Sequence, residues 1–419
     1  MIGKFDLVCL ECGREYSEIH LSCESGCNSL LRTRYHETAF RPAPKKNIFK
    51  FGAWLPCQGE AETGIGPVVL PCEPLAQHLG IERLVCVFNG YWPELGAGNT
   101  TGTFKDFEAL PTILSLLERG KRRIVVASAG NTARAFAHAA QLVDDFTVYL
   151  VVPESMLDRV WLPGDAPRAG SVRVVGVAGS DDYSVAIRMA DEISRRFAID
   201  PEGGARNVAR RDGMGTVMLE AVRILGHLPD CYVQTVDNGT DAIAAYEAAL
   251  RLLGDESFQG QHLPRLYLSQ NAPFLPIYRA WKDEVSGAPV VWQDAEDDGE
   301  ELFASVLANR KPPYSIRGGV ADTLAACGGA VLSVSNQEAA EAASLFSRCD
   351  GIDLDPPAAV AVASLIQALA RGDVRREELV LLNLTGGGLD RIRRDLGCRP
   401  LPPDLLLDES SLGSFASLL

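Results

Sequence analysis

A single lysine stands between a run of small polar residues and an apolar pattern of helical spacing, in the stretch "NTTGTFKDFEAL" at residues 99–110. Lys105 is one of only eight lysines in the chain, and it falls in the first turn of the predicted helix. The helix dipole disfavours a cation at that end, so the position favours an uncharged amine. Such an amine can form an imine with an aldehyde cofactor. A solvated lysine beside Asp106 is the structural alternative.

Three further stretches place glycine and small polar residues where a predicted strand gives way to a helix. They are "SAGNTARAFA" at residues 128–137, "VDNGTDAIAAYE" at residues 236–247 and "NLTGGGLDRI" at residues 383–392. Free backbone N–H groups at such a helix start can hold an anion such as a phosphate. Each stretch alone could be a structural turn, and only their combination favours a shared ligand site.

Four cysteines near the N-terminus have the spacing of metal ligands. Cys9, Cys12, Cys23 and Cys27 form a C-x2-C pair and a C-x3-C pair separated by ten residues. Two such turns can close a tetrahedral site, which predicts a zinc ribbon with a structural Zn²⁺ ion. Two reduced cysteine pairs without metal are the alternative.

The elements that must position these residues alternate between strand and helix. Apolar runs such as "RRIVVAS" and "FTVYLVVP" predict buried strands, whereas "YSVAIRMADEISRRF" predicts an amphipathic helix. A second alternating series begins at about residue 213. This pattern predicts an α/β protein with two three-layer units, mostly parallel sheets and a ligand cleft between the units.

This pattern predicts that the chain is divided into three parts. We expect a zinc-ribbon-like segment at residues 1–36 and a smaller α/β domain at residues 99–205, which carries the lysine and the "SAGNT" loop. The remaining residues, 37–98 and 206–419, are expected to form a larger α/β domain.

Composition narrows the class of function. The chain has 419 residues, 47% of them hydrophobic, and a formal net charge of −15, which argues against binding to nucleic acid. Its N-terminus does not resemble a secretion signal, and no apolar run is long enough to span a bilayer, so we expect a cytoplasmic protein without a membrane partner. Eleven cysteines without such a signal do not suggest a disulfide framework.

Taken together, these motifs and their order resemble the fold-type II pyridoxal-phosphate enzymes, whose fold is that of the tryptophan synthase β subunit. The stretch "GTFKDFEA" resembles the S-F-K-D lysine motif of the threonine synthase family. The resemblance extends over nearly the whole chain and includes the N-terminal cysteine segment found in some members. It implies that Lys105 attaches pyridoxal 5′-phosphate and later carries the substrate proton.

The resemblance also implies roles for the three glycine-containing stretches. "SAGNT" resembles the S-G-N-T loop, which assigns Asn131 to the cofactor 3′-oxygen, and "LTGGG" assigns Thr385 to the pyridine nitrogen. Asp241 would repel a phosphate, so we expect its side chain to point away from the cofactor. The other assigned residues are Ser128, Ala129 and Thr132 for the substrate carboxylate, and Asn238, Gly239, Thr240, Asp241 and Ala242 for the cofactor phosphate.

The same resemblance suggests a reaction. A hydroxyl at the pyridine nitrogen stabilises a pyridinium only weakly, which favours elimination and replacement over transamination. The stretches "FNGYWPELGA", "QNAPFLPIYRAW" and "NRKPPYSIRGGVADTL" are more similar to cysteate synthases than to ordinary threonine synthases. We therefore expect O-phospho-L-serine and sulfite to give L-cysteate and phosphate through an aminoacrylate. The alternatives are a threonine synthase acting on O-phosphohomoserine and a cofactor-free binding protein with a retained fold.

Both expected ligands are small anions, so the site needs local cations. Arg134, Arg279, Lys311 and Arg317 flank the recognised stretches and are candidates for binding the substrate phosphate or the nucleophile. Members of the family are often dimeric, and a homodimer is compatible with this sequence.

Overall fold

The computed structural model describes residues 3–164, 171–290, 301–307, 309 and 312–419. None of the helices in these ranges is both long enough and apolar enough to cross a membrane. The N-terminal half of the chain forms β1 (Phe5–Cys9), β2 (Glu15–Tyr16), β3 (Leu31–Tyr35), β4 (Val68–Leu70), α1 (Glu73–Leu79), β5 (Arg83–Phe88), β6 (Tyr91–Trp92), β7 (Ala97–Gly98), α2 (Lys105–Glu118), β8 (Arg123–Ala127), α3 (Asn131–Ala139), β9 (Thr147–Pro153), β10 (Trp161–Pro163), β11 (Val172–Val177), α4 (Tyr183–Phe197) and β12 (Asp200–Pro201).

The C-terminal half continues the alternation of helix and strand. It forms α5 (Val208–Leu225), β13 (Cys231–Thr235), α6 (Thr240–Leu253), β14 (Arg265–Asn271), α7 (Pro276–Ser286), α8 (Val320–Cys327), β15 (Gly329–Val334), α9 (Asn336–Asp350), α10 (Pro356–Arg371), β16 (Leu379–Leu384), α11 (Leu389–Asp395), β17 (Cys398–Pro400) and β18 (Leu405–Leu407).

Two sheets carry the main cores. The larger has the strand order β15-β14-β13-β16-β5-β4 and is parallel except for β4 at its edge. The smaller, β12-β8-β9-β11-β18, is entirely parallel. Their central strands are apolar and buried, as expected for sheets covered by helices on both faces. The predicted α/β architecture with mostly parallel sheets is confirmed.

The last strand departs from the expected division of the chain. β18 pairs in parallel with β11 of the smaller sheet, although the sequence analysis placed residues 206–419 in the larger unit. A short helix at Leu412–Leu418 follows, and Phe415 packs against Tyr149 at a ring distance of 5.0 Å. The C-terminal segment therefore completes the smaller unit.

The helices α2 and α5 lie between the two sheets and approach each other closely. A Cβ atom on Gly213 of α5 would lie 1.9 Å from the backbone oxygen of Phe107, so only glycine fits there. α2 continues through Pro111. The close crossing brings the first turns of both helices to the same region between the sheets.

The N-terminal segment forms a three-stranded antiparallel sheet, β2-β1-β3, that docks on α5 and α6. Thr33 and Tyr35 of β3 donate hydrogen bonds to Asp212 of α5, at 2.9 and 2.7 Å, and Arg251 of α6 pairs with the same carboxylate. Asp212 is buried, and a buried carboxylate is tolerated only when its partners are in place. This ion network fixes the segment rigidly to the larger unit.

Candidate active site

A cavity of about 1090 Å³ opens between the two sheets, and the predicted stretches meet on its wall. Lys105 at the start of α2, the loop after β8, the turn after β13 and Thr385 after β16 all line it. The carboxyl ends of parallel strands meet at one edge of a sheet, which explains why distant stretches converge there. The predicted residues on the wall are Lys105, Ser128, Ala129, Asn131, Thr132, Asn238, Asp241 and Thr385.

Lys105 begins α2 with its side chain 16% exposed, at the cavity. Its Nζ lies 3.8 Å from Oε2 of Glu108, one turn further along the helix, and 4.8 Å from the centre of the Phe104 ring. The Glu108 carboxylate is also held by Arg210, at 2.7 Å. The lysine therefore shares its counter-ion, and its amine is available to a ligand in the cavity.

The loop after β8 is ordered by hydrogen bonds of its own side chains. The Ser128 hydroxyl accepts from the amides of Gly130 and Ala133, at 3.0 and 2.9 Å, and so caps the start of α3. Oδ1 of Asn131 accepts from Arg134 at 2.7 Å, which turns the amide nitrogen of Asn131 away from that arginine. Asn131 can thus offer an N–H donor to a ligand oxygen in the cavity.

Arg134 is not on the cavity wall. It is buried behind the loop, 4.7 Å over the Trp161 ring, and Nη1 donates to the backbone oxygen of Arg159 at 3.3 Å. Burial lowers the pKa of Arg134 to about 10. In this position the guanidinium supports Asn131.

The turn after β13 has the features of a phosphate cradle. Gly239 has φ 77°, and a Cβ atom on it would lie 2.1 Å from Val320, so glycine is required on both counts. Asn238 Oδ1 accepts from the Thr240 amide at 3.0 Å, and α6 begins at Thr240. The Thr240 hydroxyl is buried without a partner among the described residues, which leaves it available to a ligand. Gly239, Thr240 and Ala242 belong to this turn, although Asn238 and Asp241 form the wall itself.

Asp241 does not point away as the sequence analysis expected. It is buried on the cavity wall, and burial raises its pKa to about 6. Asp237 lies on the same wall, accepts from the Asn309 amide at 3.0 Å, and also has its pKa raised to about 6 by burial. Since both carboxyls are shifted toward the neutral form, they repel a nearby anion less than exposed carboxylates would.

Thr385 directly follows β16 and contacts the residue that precedes Lys105. Its backbone oxygen accepts from the Phe104 amide at 2.9 Å, and Gly386 pairs with Thr103 in an isolated bridge. The Thr385 hydroxyl is buried beside the Asp355 carboxyl. Burial raises the pKa of Asp355 to about 7, and the side-chain contact with Thr385 acts in the opposite direction. Thr385 can therefore offer its hydroxyl to a ring nitrogen.

These groups fit pyridoxal phosphate. Lys105 supplies an amine for its aldehyde, the start of α6 with the Thr240 hydroxyl suits its phosphate, and Thr385 offers a hydroxyl for its ring nitrogen. The buried Thr240 hydroxyl without a hydrogen-bond partner among the described residues, and the placement of Lys105 and Thr385 on one cavity wall, support this fit.

The predicted cations lie elsewhere. Arg279 is exposed on α7, Arg317 is 61% exposed and lies 3.4 Å from Asp322, and neither lines the cavity. Lys311 lies outside the described residues. The arginines on the described wall are Arg188, Arg206 and Arg210.

Sequence reasoning missed these three arginines. For two of them, Arg206 and Arg210, a signal was present in the arginine-rich stretch "RNVARR" at residues 206–211, whereas Arg188 lies outside it. The second helical series was assigned to start near residue 213, whereas α5 starts at Val208, so the run was not placed at a helix start.

The four N-terminal cysteines lie together. Their sulfur atoms are all within 4.8 Å of one another, and the Cys12 and Cys23 sulfurs are 3.6 Å apart. A tetrahedral site with Zn–S bonds of about 2.3 Å requires sulfurs roughly 3.8 Å apart, so the cluster fits a Zn²⁺ ion. Four cysteine ligands fill a tetrahedral coordination sphere, in keeping with a structural role.

The family model for "Pyridoxal-phosphate dependent enzyme" matches residues 65–386. The chain therefore belongs to the pyridoxal-phosphate dependent enzymes, and it is an enzyme of elimination or replacement chemistry that acts on small molecules. Solved structures of this class have the same fold. A pyridoxal 5′-phosphate-dependent aspartate racemase superposes with a TM-score of 0.58 at 16% identity, covering 80% of this chain and 92% of its own. Maize serine racemase superposes with a TM-score of 0.57 at 14% identity, covering 78% of this chain and 90% of its own.

Curated relatives are similar over nearly the full length. The cysteate synthase of Methanosarcina acetivorans is 44% identical over 407 residues, which is 96% of this chain and 97% of the relative. The cysteate synthase of Methanoculleus marisnigri is 46% identical, over 97% of this chain and 93% of the relative. The resemblance read from the motifs is confirmed.

Replacement of Lys105 by alanine should remove the visible absorption of the bound cofactor, because no other amine replaces it on the described wall. Borohydride treatment of the wild-type protein should fix the cofactor to the peptide that contains residue 105, as measured by mass spectrometry. Lys121→Ala is the control, since Lys121 is half exposed and pairs with Asp200 at 3.3 Å. A coloured Lys105→Ala protein, or an adduct on another lysine, would contradict the assignment.

Cys12→Ser should lower the zinc content from one ion per chain toward zero, because a hydroxyl is a poor ligand at a thiolate site. Metal analysis of the purified protein measures this directly. Cys349→Ser is the matched control, since Cys349 lies in α9 outside the cluster. A wild-type protein without zinc would show that the cluster is a set of free thiols.

Proposed function

We propose that the chain catalyses a β-replacement in which sulfite displaces the phosphate of O-phospho-L-serine, giving L-cysteate and inorganic phosphate. The C–O bond to the phosphate breaks and a C–S bond forms at the same carbon. The observation that carries this proposal is the 44–46% identity to cysteate synthases over 96–97% of the chain. It is supported by a cavity that holds the lysine, a hydroxyl at the expected ring-nitrogen position and several arginines.

The residues assigned from the motifs have distinct roles in this proposal. Pyridoxal phosphate supplies the electron sink for breaking the α C–H bond. Asn131 holds the ring oxygen, the turn at Asn238–Ala242 holds the cofactor phosphate, and Thr385 contacts the ring nitrogen. Ser128, Ala129 and Thr132 bind the substrate carboxylate. These assignments follow from the family motifs and from the positions of the residues around one cavity.

Lys105 moves the proton. Its amine, once free, accepts the α-proton of the substrate at Nζ and then carries a positive charge. Glu108 stabilises that charge from 3.8 Å, and Thr132 donates to the other carboxylate oxygen of Glu108 at 3.3 Å. The hydroxyl of Thr385 leaves the ring nitrogen without a strong counter-ion, which suits departure of a leaving group over transamination.

The two other candidate functions have less support. Threonine synthase activity on O-phosphohomoserine would use the same fold, but the curated relatives of high identity are cysteate synthases. A cofactor-free binding protein has no need of an amine and a buried threonine hydroxyl on the wall of one cavity.

The purified protein with pyridoxal phosphate should release phosphate from O-phospho-L-serine and form one cysteate per phosphate when sulfite is present. Phosphate is measured by colour reaction and the amino acid by mass spectrometry. Omission of sulfite is the control, and it should abolish cysteate. Formation of threonine from O-phosphohomoserine, without cysteate from the other pair, would refute the proposal in favour of threonine synthase.

A further inference from the structure

The cations of the cavity wall differ in whether their charge is already balanced. Arg210 is buried between two carboxylates: Nη2 lies 2.7 Å from Glu108, and Nη1 pairs with Glu202. Lys105 is committed to the cofactor. Of the arginines on the described wall, Arg188 and Arg206 form no ion pair with a carboxylate of the described residues.

Arg206 is the better placed of these two. It ends a short 3-10 turn, Gly204–Arg206, whose residues all line the cavity. The side chain is partly buried, whereas Arg188 is exposed on α4 and donates to Ser184 within its own helix at 3.2 Å. A partly buried guanidinium is screened less by solvent and binds an anion more strongly than an exposed one.

The cysteine ribbon holds Arg206 in place. Nη1 donates to the backbone oxygen of Ser29 and Nη2 to Oδ1 of Asn28, each at 3.3 Å. Both acceptors are neutral, so they orient the guanidinium without cancelling its charge. Asn28 follows the last cysteine of the cluster, and the ribbon itself is fixed to α5 through Asp212. The ribbon loop therefore contacts the cavity wall through Arg206, although Asn28 and Ser29 do not line the cavity themselves.

The carboxylates near Arg206 do not form an ion pair with it. Glu202 is paired with Arg210, and Asp182 caps α4 by accepting from the Ser184 amide at 2.8 Å. Asp191 lies on α4 with its pKa raised by burial. A guanidinium has five donors in a planar fork, and two of them contact the ribbon, so donors remain for an oxyanion.

We infer that Arg206 binds the oxyanion that enters or leaves in the reaction, the phosphate group of the substrate or the sulfite, and that the ribbon residues Asn28 and Ser29 position it. This inference rests on the proposed function for the identity of the anions. It gives the ribbon a part in substrate binding in addition to its structural role.

The test compares Arg206→Gln and Arg206→Lys with Arg195→Gln, whose arginine is 72% exposed on α4 and pairs with Glu192. Steady-state rates are measured with O-phospho-L-serine varied at saturating sulfite, and then the reverse. Arg206→Gln should raise KM for one of the two anions about tenfold or more with kcat changed far less, since a charge-assisted contact is lost. Arg206→Lys should recover part of that loss, and Arg195→Gln should match the wild type. The substrate whose KM rises identifies which anion Arg206 binds.

Binding of inorganic phosphate to the holoenzyme, measured by calorimetry, gives a second readout that does not depend on turnover. Its Kd should rise about tenfold or more in Arg206→Gln. Unchanged KM values together with an unchanged phosphate Kd would overturn the inference. If the wild type makes no cysteate, the proposed function fails, while phosphate binding still tests Arg206.

Asn28→Ala tests the positioning role. It should raise the same KM as Arg206→Gln by a smaller factor, and it should have no further effect in the Arg206→Gln background. Zinc content is measured in the same samples, to show that the cluster is intact. An additive effect of the two changes would show that Asn28 acts independently of Arg206.

Discussion

A buried carboxylate, Glu108, holds together the three helices that meet at Lys105. It faces Lys105 on its own helix at 3.8 Å, accepts from Arg210 of α5 at 2.7 Å and from Thr132 of α3 at 3.3 Å. An ion buried this deeply is stable only while its partners remain in place. The buried Glu108 charge on α2 therefore constrains the positions of α3 and α5 beside the cavity.

Neighbouring residues at the start of α5 contact two different parts of the protein, the cavity wall and the cysteine ribbon. Arg210 faces Glu108 and the cavity, whereas Arg211 and Asp212 face the ribbon, because consecutive residues of a helix point about 100° apart. The ribbon is thus bound to the same turn that completes the site. The cysteine segment therefore contacts the elements of the cavity wall through the start of α5 and through Arg206.

Sequence reasoning reached the parts of the site that local patterns encode. Lys105, Asn131 and Thr385 were predicted because each lies at a junction with its own motif, and the structure places all three on the cavity wall. The alternation of strands and helices predicted the α/β fold. The Glu108–Arg210 pair joins residues 102 positions apart, and no spacing rule reveals such a contact. The short strand β18 carries too few residues for a periodic pattern, and the place of Asp241 on the wall depends on how α6 packs.

A double-mutant cycle on Glu108→Gln and Arg210→Gln tests the central claim, with the free energy of unfolding of the cofactor-free protein as the measurement. Each single change removes one partner of a buried charge and should cost about 1–3 kcal/mol, because Arg210 keeps Glu202 and Glu108 keeps Lys105. The double change should cost less than the sum of the two by more than about 1 kcal/mol, because it removes both charges. Losses that simply add would show that the pair does not hold the helices together.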